Sequence, residues 1–257
     1  MKIATYNING INGRLSRLLE WLDARAPDVV CLQELKTVDS SFPYAALRKA
    51  GYHAVCKGER AYNGVAILSK GSEPLVTRRE LPGGPEDKQS RYLEAAVNGV
   101  LIASIYAPNG NPQPGPKFDY KLAWLERLRL HARSLRAAGV PAVLAGDFNV
   151  VPTDRDIYSA VSSWKDDALL QPESRKALAR VLAQGFTDAL RELHPRAPLY
   201  TFWDYKRNAW TRNAGLRIDQ FLLSKQALER LVAGEVDTSF RGLVGASDHA
   251  PAWIELC

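Results

Sequence analysis

The sequence predicts one α/β domain built from strand pairs with outer helices. Short apolar runs of strand length alternate with amphipathic stretches of helical period. A tight Asn98-Gly99 joins two of those runs, the strongest short hairpin signal a sequence carries. No repeat at a solenoid period and no low-complexity tract interrupts the pattern. With 257 residues, 46% of them hydrophobic and 24% charged, the chain has the composition of a globular protein with a sizeable core. A disordered chain is excluded.

Taken in order, Lys2–Tyr6 reads as a buried strand. Leu15–Arg25 reads as a helix with Leu15, Leu18, Leu19 and Leu22 on one face, closed before Pro27. Asp28–Leu32 is a second strand. Asn63–Ser69 and Arg91–Val97 look like antiparallel strands, and Val100–Tyr106 returns from the Asn98-Gly99 turn. Leu122, Leu125, Leu128, Ala132 and Leu135 mark a long helix over Phe118–Ala138. Val140–Gly146 is another buried strand, residues 153–195 are more helical and polar, and Leu216–Ser224 and Ala252–Leu256 close the chain as strands. The Pro/Gly stretch Pro108–Pro116 is followed at once by a helix, so it reads as a functional loop and not a domain boundary. Residues 1–257 are therefore expected to form a single domain.

Lys and Arg number 34 against 28 Asp and Glu, a net charge of +6. That excess suits a polyanionic partner without requiring one. Cys31, Cys56 and Cys257 are odd in number, far apart and in no CxxC pair, which argues against a disulfide framework or structural zinc and for a reducing compartment. The N-terminus has no signal pattern and no apolar run approaches membrane-spanning length. A soluble, cytoplasmic monomer with no membrane partner is expected.

Polar residues fall repeatedly at the ends of apolar strands: Asn7 after the first, Gln33-Glu34 after the second, Tyr106 after the hairpin, Asp147 and Asn149 after Val140–Gly146, and Ser247-Asp248-His249 before the last. Side chains so placed tend to meet at one rim, where ligands bind. Glu34, Asp147 and Asp248 beside Asn7 and Asn149, with His249 at the same rim, form a candidate metal set. Its hard oxygen donors suit Mg²⁺ or Mn²⁺ and not structural zinc. Taken singly, each could be a turn residue or helix cap; their joint recurrence at strand ends is what points to a site. His53, His131 and His194 read as structural or solvent-facing. Asp219, a carboxylate inside an apolar strand, needs a partner, and His249 is a reasonable one.

Residues 202–217 interleave Phe202, Trp203, Tyr205 and Trp210 with Lys206, Arg207, Arg212 and Arg217. Such a segment fits nucleic-acid contact, and equally a hairpin with a packed aromatic face and a solvated cationic face.

NxNG at Asn7–Gly10, QE at Gln33-Glu34, YxPNG at Tyr106–Gly110, GDFN at Gly146–Asn149, FWDY at Phe202–Tyr205, GLRID at Gly215–Asp219 and SDH at Ser247–His249 follow one another along essentially the whole chain. In this the sequence resembles the exodeoxyribonuclease III branch of the apurinic/apyrimidinic endonucleases, within the endonuclease–exonuclease–phosphatase superfamily. The resemblance implies a four-layered α/β sandwich, two packed and mainly antiparallel sheets flanked by helices, with the site at one rim. It implies a Mg²⁺- or Mn²⁺-dependent cleavage of double-stranded DNA at abasic sites, with action at 3′ ends as a further activity.

The same resemblance implies roles. Glu34 would be the principal metal ligand with Asn7 and Asp248 near it. Asp147, held with Asn149, would align and deprotonate water. His249, oriented by Asp219, would clamp the phosphate or act as base. Tyr106 would donate to the phosphate or to the leaving group, and Asn109 would contact the phosphate. Lys36, Tyr62 and Arg91 would grip the DNA backbone. Phe202, Leu216 and Ile218 fall where the family forms its abasic pocket. Two positions depart from the eukaryotic members: Asn9 replaces an aspartate and Leu216 replaces a tryptophan. Two rival readings are a phosphatase or phospholipase with the same catalytic set, opposed by segment 202–217, and a silent DNA-binding module, opposed by the intact site residues.

Overall fold

The computed structural model describes residues 1–158, 164 and 166–257. Of the polar helical stretch read over 153–195, residues 159–163 and 165 lie outside the described residues. The strands are β1 (Lys2–Asn7), β2 (Val29–Gln33), β3 (Tyr52–Lys57), β4 (Val65–Lys70), β5 (Leu75–Arg78), β6 (Tyr92–Val97), β7 (Val100–Tyr106), β8 (Ala142–Asp147), β9 (Phe186–Asp188), β10 (Asp219–Ser224), β11 (Leu231–Val236) and β12 (Ala252–Leu256). The principal helices are α1 (Ile11–Arg25), α2 (Tyr44–Lys49), α3 (Pro116–Ala138) and α4 (Pro172–Leu182), with shorter ones at α5 (Ala189–Leu193), α6 (Lys225–Leu228) and α7 (Thr238–Arg241). No helix among them is long and apolar enough to cross a membrane.

The strands form two six-stranded sheets, ordered β11-β12-β1-β2-β4-β3 and β5-β6-β7-β8-β10-β9. Every ladder is antiparallel except β1–β2 and β7–β8. Each parallel pair needs a crossover, and the two longest helices supply it: α1 joins β1 to β2 and α3 joins β7 to β8.

Alternation along the strands sorts the apolar side chains into three cores. Ile3, Val29, Cys31 and Ile67 of the first sheet pack between the sheets on Leu93, Ile102, Val143 and Phe221 of the second. Their neighbours Ala4, Tyr6, Val30 and Leu32 face outward onto Leu18, Trp21 and Leu22 of α1. Ala103, Ile105 and Leu144 face outward onto Trp124, Leu125 and Leu128 of α3 and Leu178 of α4. Three apolar interfaces stacked in this way make four layers, helix–sheet–sheet–helix, as the resemblance implies.

The Asn98-Gly99 hairpin forms with Val97 opposite Val100 and positive φ at both turn residues. Five expected strands start one to three residues later than read, at Val29, Val65, Tyr92, Ala142 and Asp219. Asn63 and Gly64 both have positive φ, so β4 begins at Val65. Leu216 makes only isolated bridges, to Ile157 and Phe202, and regular pairing begins at Asp219. Strands β3, β5, β9 and β11, not singled out from periodicity, are the four sheet edges. With a neighbour on one side only, they carry weaker burial patterns, as β5 and β11 show.

Candidate active site

The strand register assembles the cleft. Asn7 pairs with Gln33 at the end of the β1–β2 ladder, and Tyr106 pairs with Asp147 at the end of β7–β8. Asp219 opens β10 directly opposite Asp147. Both parallel pairs thus end at the same rim, and the polar residues that follow each strand meet there. Gly146 permits this convergence: with φ +150, a Cβ on it would lie 1.9 Å from the Ile105 carbonyl oxygen, so only glycine lets β8 run beside β7 up to Asp147.

Asn7 is fully buried and its amide bridges the sheets, donating to Glu34 Oε1 and to Asp147 Oδ2, each at 3.0 Å. Asp147 Oδ1 accepts from the Asn149 backbone N–H at 2.8 Å. Asn149 in turn accepts from Asn109 Nδ2 at 3.2 Å and donates to the Ala107 carbonyl at 2.9 Å. On the other flank, His249 Nδ1 lies 2.7 Å from Asp219 Oδ2, while its Nε2 lies 3.8 Å from Asp147 Oδ2. Ser247 Oγ donates to the Asn7 carbonyl and accepts from the His249 backbone N–H, which ties the Ser247–His249 turn to β1. Asp248 accepts from Asn9 Nδ2 at 2.9 Å.

The electrostatics divide these groups into roles. Burial, together with Asp219 and Glu34, pushes Asp147 up to about 7 against the pull of His249. Burial alone would depress His249, but Asp219 and then Asp147 lift it to about 10, so the imidazole is held protonated at neutral pH. Burial would raise Glu34; the Lys36 ammonium at 2.8 Å and the Asn7 amide outweigh it and hold the carboxyl below its ordinary value. Burial and the carboxylates of Glu34 and Asp147 raise Tyr106 well above the ordinary phenol range, which keeps its hydroxyl a donor.

The cleft is lined by Glu34, Tyr106, Asn109, Asp147, Asn149, Asp248 and His249 on its polar side and by Phe202, Ile218, Leu169 and Trp164 on its apolar side. Phe202 packs on the His249 ring with centroids 5.0 Å apart. Asn7 lies beneath this lining and Asp219 behind His249. Arg91 sits at the edge, its guanidinium 5.0 Å over the Tyr106 ring and bonded to the Tyr106 carbonyl. Lys36 turns inward to Glu34 and Asn9. Tyr62 is 71% exposed.

Three sequence expectations change. Leu216 does not face the cleft: it is fully buried among Val151, Ile157, Leu169 and Ile218, and supports the apolar wall from behind. Arg217 is not available to phosphate. It is 1% exposed and locked to Asp156 at 2.6 Å and Asp188 at 2.7 Å. Segment 202–217 is not a hairpin with one aromatic face either: Trp203 is buried, Phe202 faces the cleft, and Lys206, Arg207 and Arg212 remain exposed. Trp164, Asp167 and Leu169 line the cleft without having been foreseen; their only signal was a tryptophan in the polar run SSWKDD.

Among the described residues, Asp147, Asp219 and His249 bring ligand atoms within 4.8 Å of one another. Because Nδ1 of His249 is already bonded to Asp219, this trio fits an acid–base relay better than a complete metal cage. The other carboxylates that line the cleft are Glu34, Asp248 and Asp167, with the Asn7 amide beneath. No thiolate is among them, and this donor chemistry fits a hard divalent cation.

The sequence profile of the Endonuclease/Exonuclease/phosphatase family matches residues 4–249. The chain belongs to that family. Among its relatives, the Exodeoxyribonuclease III of Haemophilus influenzae is 33% identical over 99% of this chain and 99% of its own length. The structure of an AP endonuclease from Archaeoglobus fulgidus superposes with a TM-score of 0.94 at 36% identity, covering 100% of this chain and 99% of that one. A 3′ phosphatase from Neisseria bound to a product DNA hairpin does so with a TM-score of 0.95 at 37% identity, over 100% and 99% of the two chains. Within the endonuclease/exonuclease/phosphatase family, this chain is an exodeoxyribonuclease III–type member with the same four-layered fold.

Proposed function

We propose that this chain is a divalent-metal-dependent phosphoesterase of DNA repair. It cleaves double-stranded DNA on the 5′ side of abasic sites, leaving a 3′-hydroxyl and a 5′-deoxyribose phosphate, and it also acts at 3′ ends. The observation that carries this reading is the single cleft in which Asp147, Asn149, His249 and Glu34 meet a wall of Phe202, Ile218, Leu169 and Trp164. One half suits a phosphoryl group and the other an apolar sugar.

Hydrolysis of a phosphodiester is among the slowest uncatalysed reactions, so most of the catalysis must come from positioning and fixed charge. Asp147, raised toward neutrality and aligned by Asn149 and Asn7, orients the attacking water and takes its proton. The His249 imidazolium, fixed by Asp219, faces the phosphate oxygens and offsets their developing charge. Tyr106, Asn109 and Asn149 supply neutral donors. Mg²⁺, or Mn²⁺ in its place, held by Glu34 with Asn7 and Asp248, would polarise the phosphate and ease departure of the 3′-oxygen. Arg91 beside Tyr106, Lys36 beside Glu34 and the exposed Tyr62 contact the DNA backbone. A nucleotide without a base costs less to unstack and fits a small apolar pocket that a normal base would not. The working species is a cytoplasmic monomer.

A second reading, in which 3′-end processing dominates, is favoured by the likeness to the Neisseria 3′ phosphatase. One experiment separates the two: incision of duplexes carrying an abasic site, a recessed normal 3′ end or a 3′-phosphate, each with and without chelator. Loss of all activity in chelator and its return with Mg²⁺ are expected. Full activity in excess chelator overturns the metal assignment, and activity only on soluble phosphoesters overturns the DNA assignment.

A further inference from the structure

Helix α3 carries a buried charge that the chemistry above does not use. Lys121 is 0% exposed, yet its ammonium donates to three backbone carbonyls, of Asn149 at 2.6 Å and of Asn109 and Ala168 at 3.1 Å each. Three acceptors take three N–H groups, which only the charged form provides; a neutral amine would leave one carbonyl short. Burial favours the neutral form and pulls Lys121 down to about 7, against Asp167 and Asp147, while the three carbonyls favour the cation.

Those carbonyls belong to three separate segments, each of which lines the cleft. The loop after β7 supplies Asn109, the turn after β8 supplies Asn149, and the segment before α4 supplies Asp167 and Leu169. Side chains strengthen the same joint: Asn109 donates to Asn149 at 3.2 Å, and Asn111 donates to Asp167 at 3.0 Å while accepting from the Ala168 N–H at 2.9 Å. Gly110, at φ +93, lies directly on the lysine stem. A Cβ there would stand 2.7 Å from Lys121 Cδ and 3.1 Å from Ala168 Cβ. The polar half of the cleft and its apolar wall therefore share one internal anchor.

We propose that Lys121 is a positioning residue that sets the distance between the phosphate-contacting asparagines and the apolar wall. The inference rests on the phosphoesterase reading. A small displacement of either half would leave DNA binding intact and slow the chemistry, because a misplacement of about 1 Å can cost about a hundredfold in rate.

The test uses the full chain as wild type, Lys121→Met, Lys121→Gln and Leu128→Ala. The last lies on the same helix in the outer core and matches lost stability without touching the cleft. Melting curves fix a temperature at which each protein is folded, and there kcat, KM and the Kd for undamaged duplex are measured. We expect Lys121→Met to lose about tenfold to a hundredfold in kcat with Kd unchanged. Lys121→Gln, which keeps two N–H groups, should lose less, and Leu128→Ala should lower the melting temperature with kcat intact. Unchanged kcat in the folded Lys121 variants, or a loss matched by loss of DNA affinity, overturns the proposal. If Lys121→Met does not fold, Lys121→Gln decides by the same criterion. A wild type that cleaves no DNA substrate removes the phosphoesterase reading instead.

Discussion

Nδ1 of His249 lies 2.7 Å from Oδ2 of Asp219, and Asp219 stands opposite Asp147 in the β8–β10 ladder. A backbone pairing thus puts the carboxylate that orients the imidazole beside the carboxylate proposed as base. Among the described residues Asp219 Oδ1 has no hydrogen-bond partner, which leaves the His249 contact to Oδ2 to hold the side chain.

If the two residues act as a unit, His249→Asn and Asp219→Asn each lower kcat severely, and the double variant is little worse than the worse single one. Single-turnover incision of an abasic duplex by the three variants checks this. Losses that multiply would mean that the residues act independently.

The basic residues separate into two groups by burial. Arg91→Ala should reduce the slope of log affinity against log salt by about 1. Arg217→Met should leave that slope unchanged and destabilise the fold by less than the ~3–5 kcal/mol of a fully uncompensated buried charge, because Asp156 loses one ion pair but keeps Arg191 at 2.6 Å, and Asp188 is only half-buried. Salt titrations of duplex binding and denaturant melts check both, and an altered slope for Arg217→Met would contradict its burial.

Phe202 and Leu216 should also part company. Phe202→Ala opens the cleft wall and should lower abasic incision more than affinity for undamaged duplex. Leu216→Trp adds volume to a closed core and should cost about 1–3 kcal/mol of stability, lowering the melting temperature. A Leu216→Trp protein with unchanged melting and altered substrate choice would return that residue to the pocket.

Acid stability should depend on a site far from the cleft. Glu94 is buried on β6, where it accepts from Tyr92 at 2.6 Å and Thr77 at 2.7 Å and contacts His131 Nε2 at 2.8 Å. Burial would raise its carboxyl, but these partners hold it below the ordinary value. A carboxyl depressed in the folded state contributes stability above its unfolded pKa of about 4.3 and loses it as pH falls through the folded value. Glu94→Gln should therefore flatten the fall in melting temperature below about pH 4.3. An unchanged profile would show that the cluster is not what titrates.

The sequence by itself determined the alternation of central strands and helices, the Asn98-Gly99 turn and the rim carboxylates, because each is written in local pattern. Central strands are buried on both faces and read as continuous apolar runs. The residues that end them are polar because the chain there meets solvent or ligand. Tertiary structure alone decided what depends on distant neighbours. The edge strands β3, β5, β9 and β11 have half the partners and a correspondingly faint pattern. Whether Arg217 meets phosphate or carboxylate depended on Asp156 and Asp188, remote in the chain, and whether Leu216 faces the cleft depended on the packing of Ile157 and Leu169. Lys121 looked like any lysine on a helix; only the folding of three loops onto its ammonium, each supplying one carbonyl, made it part of the cleft's frame.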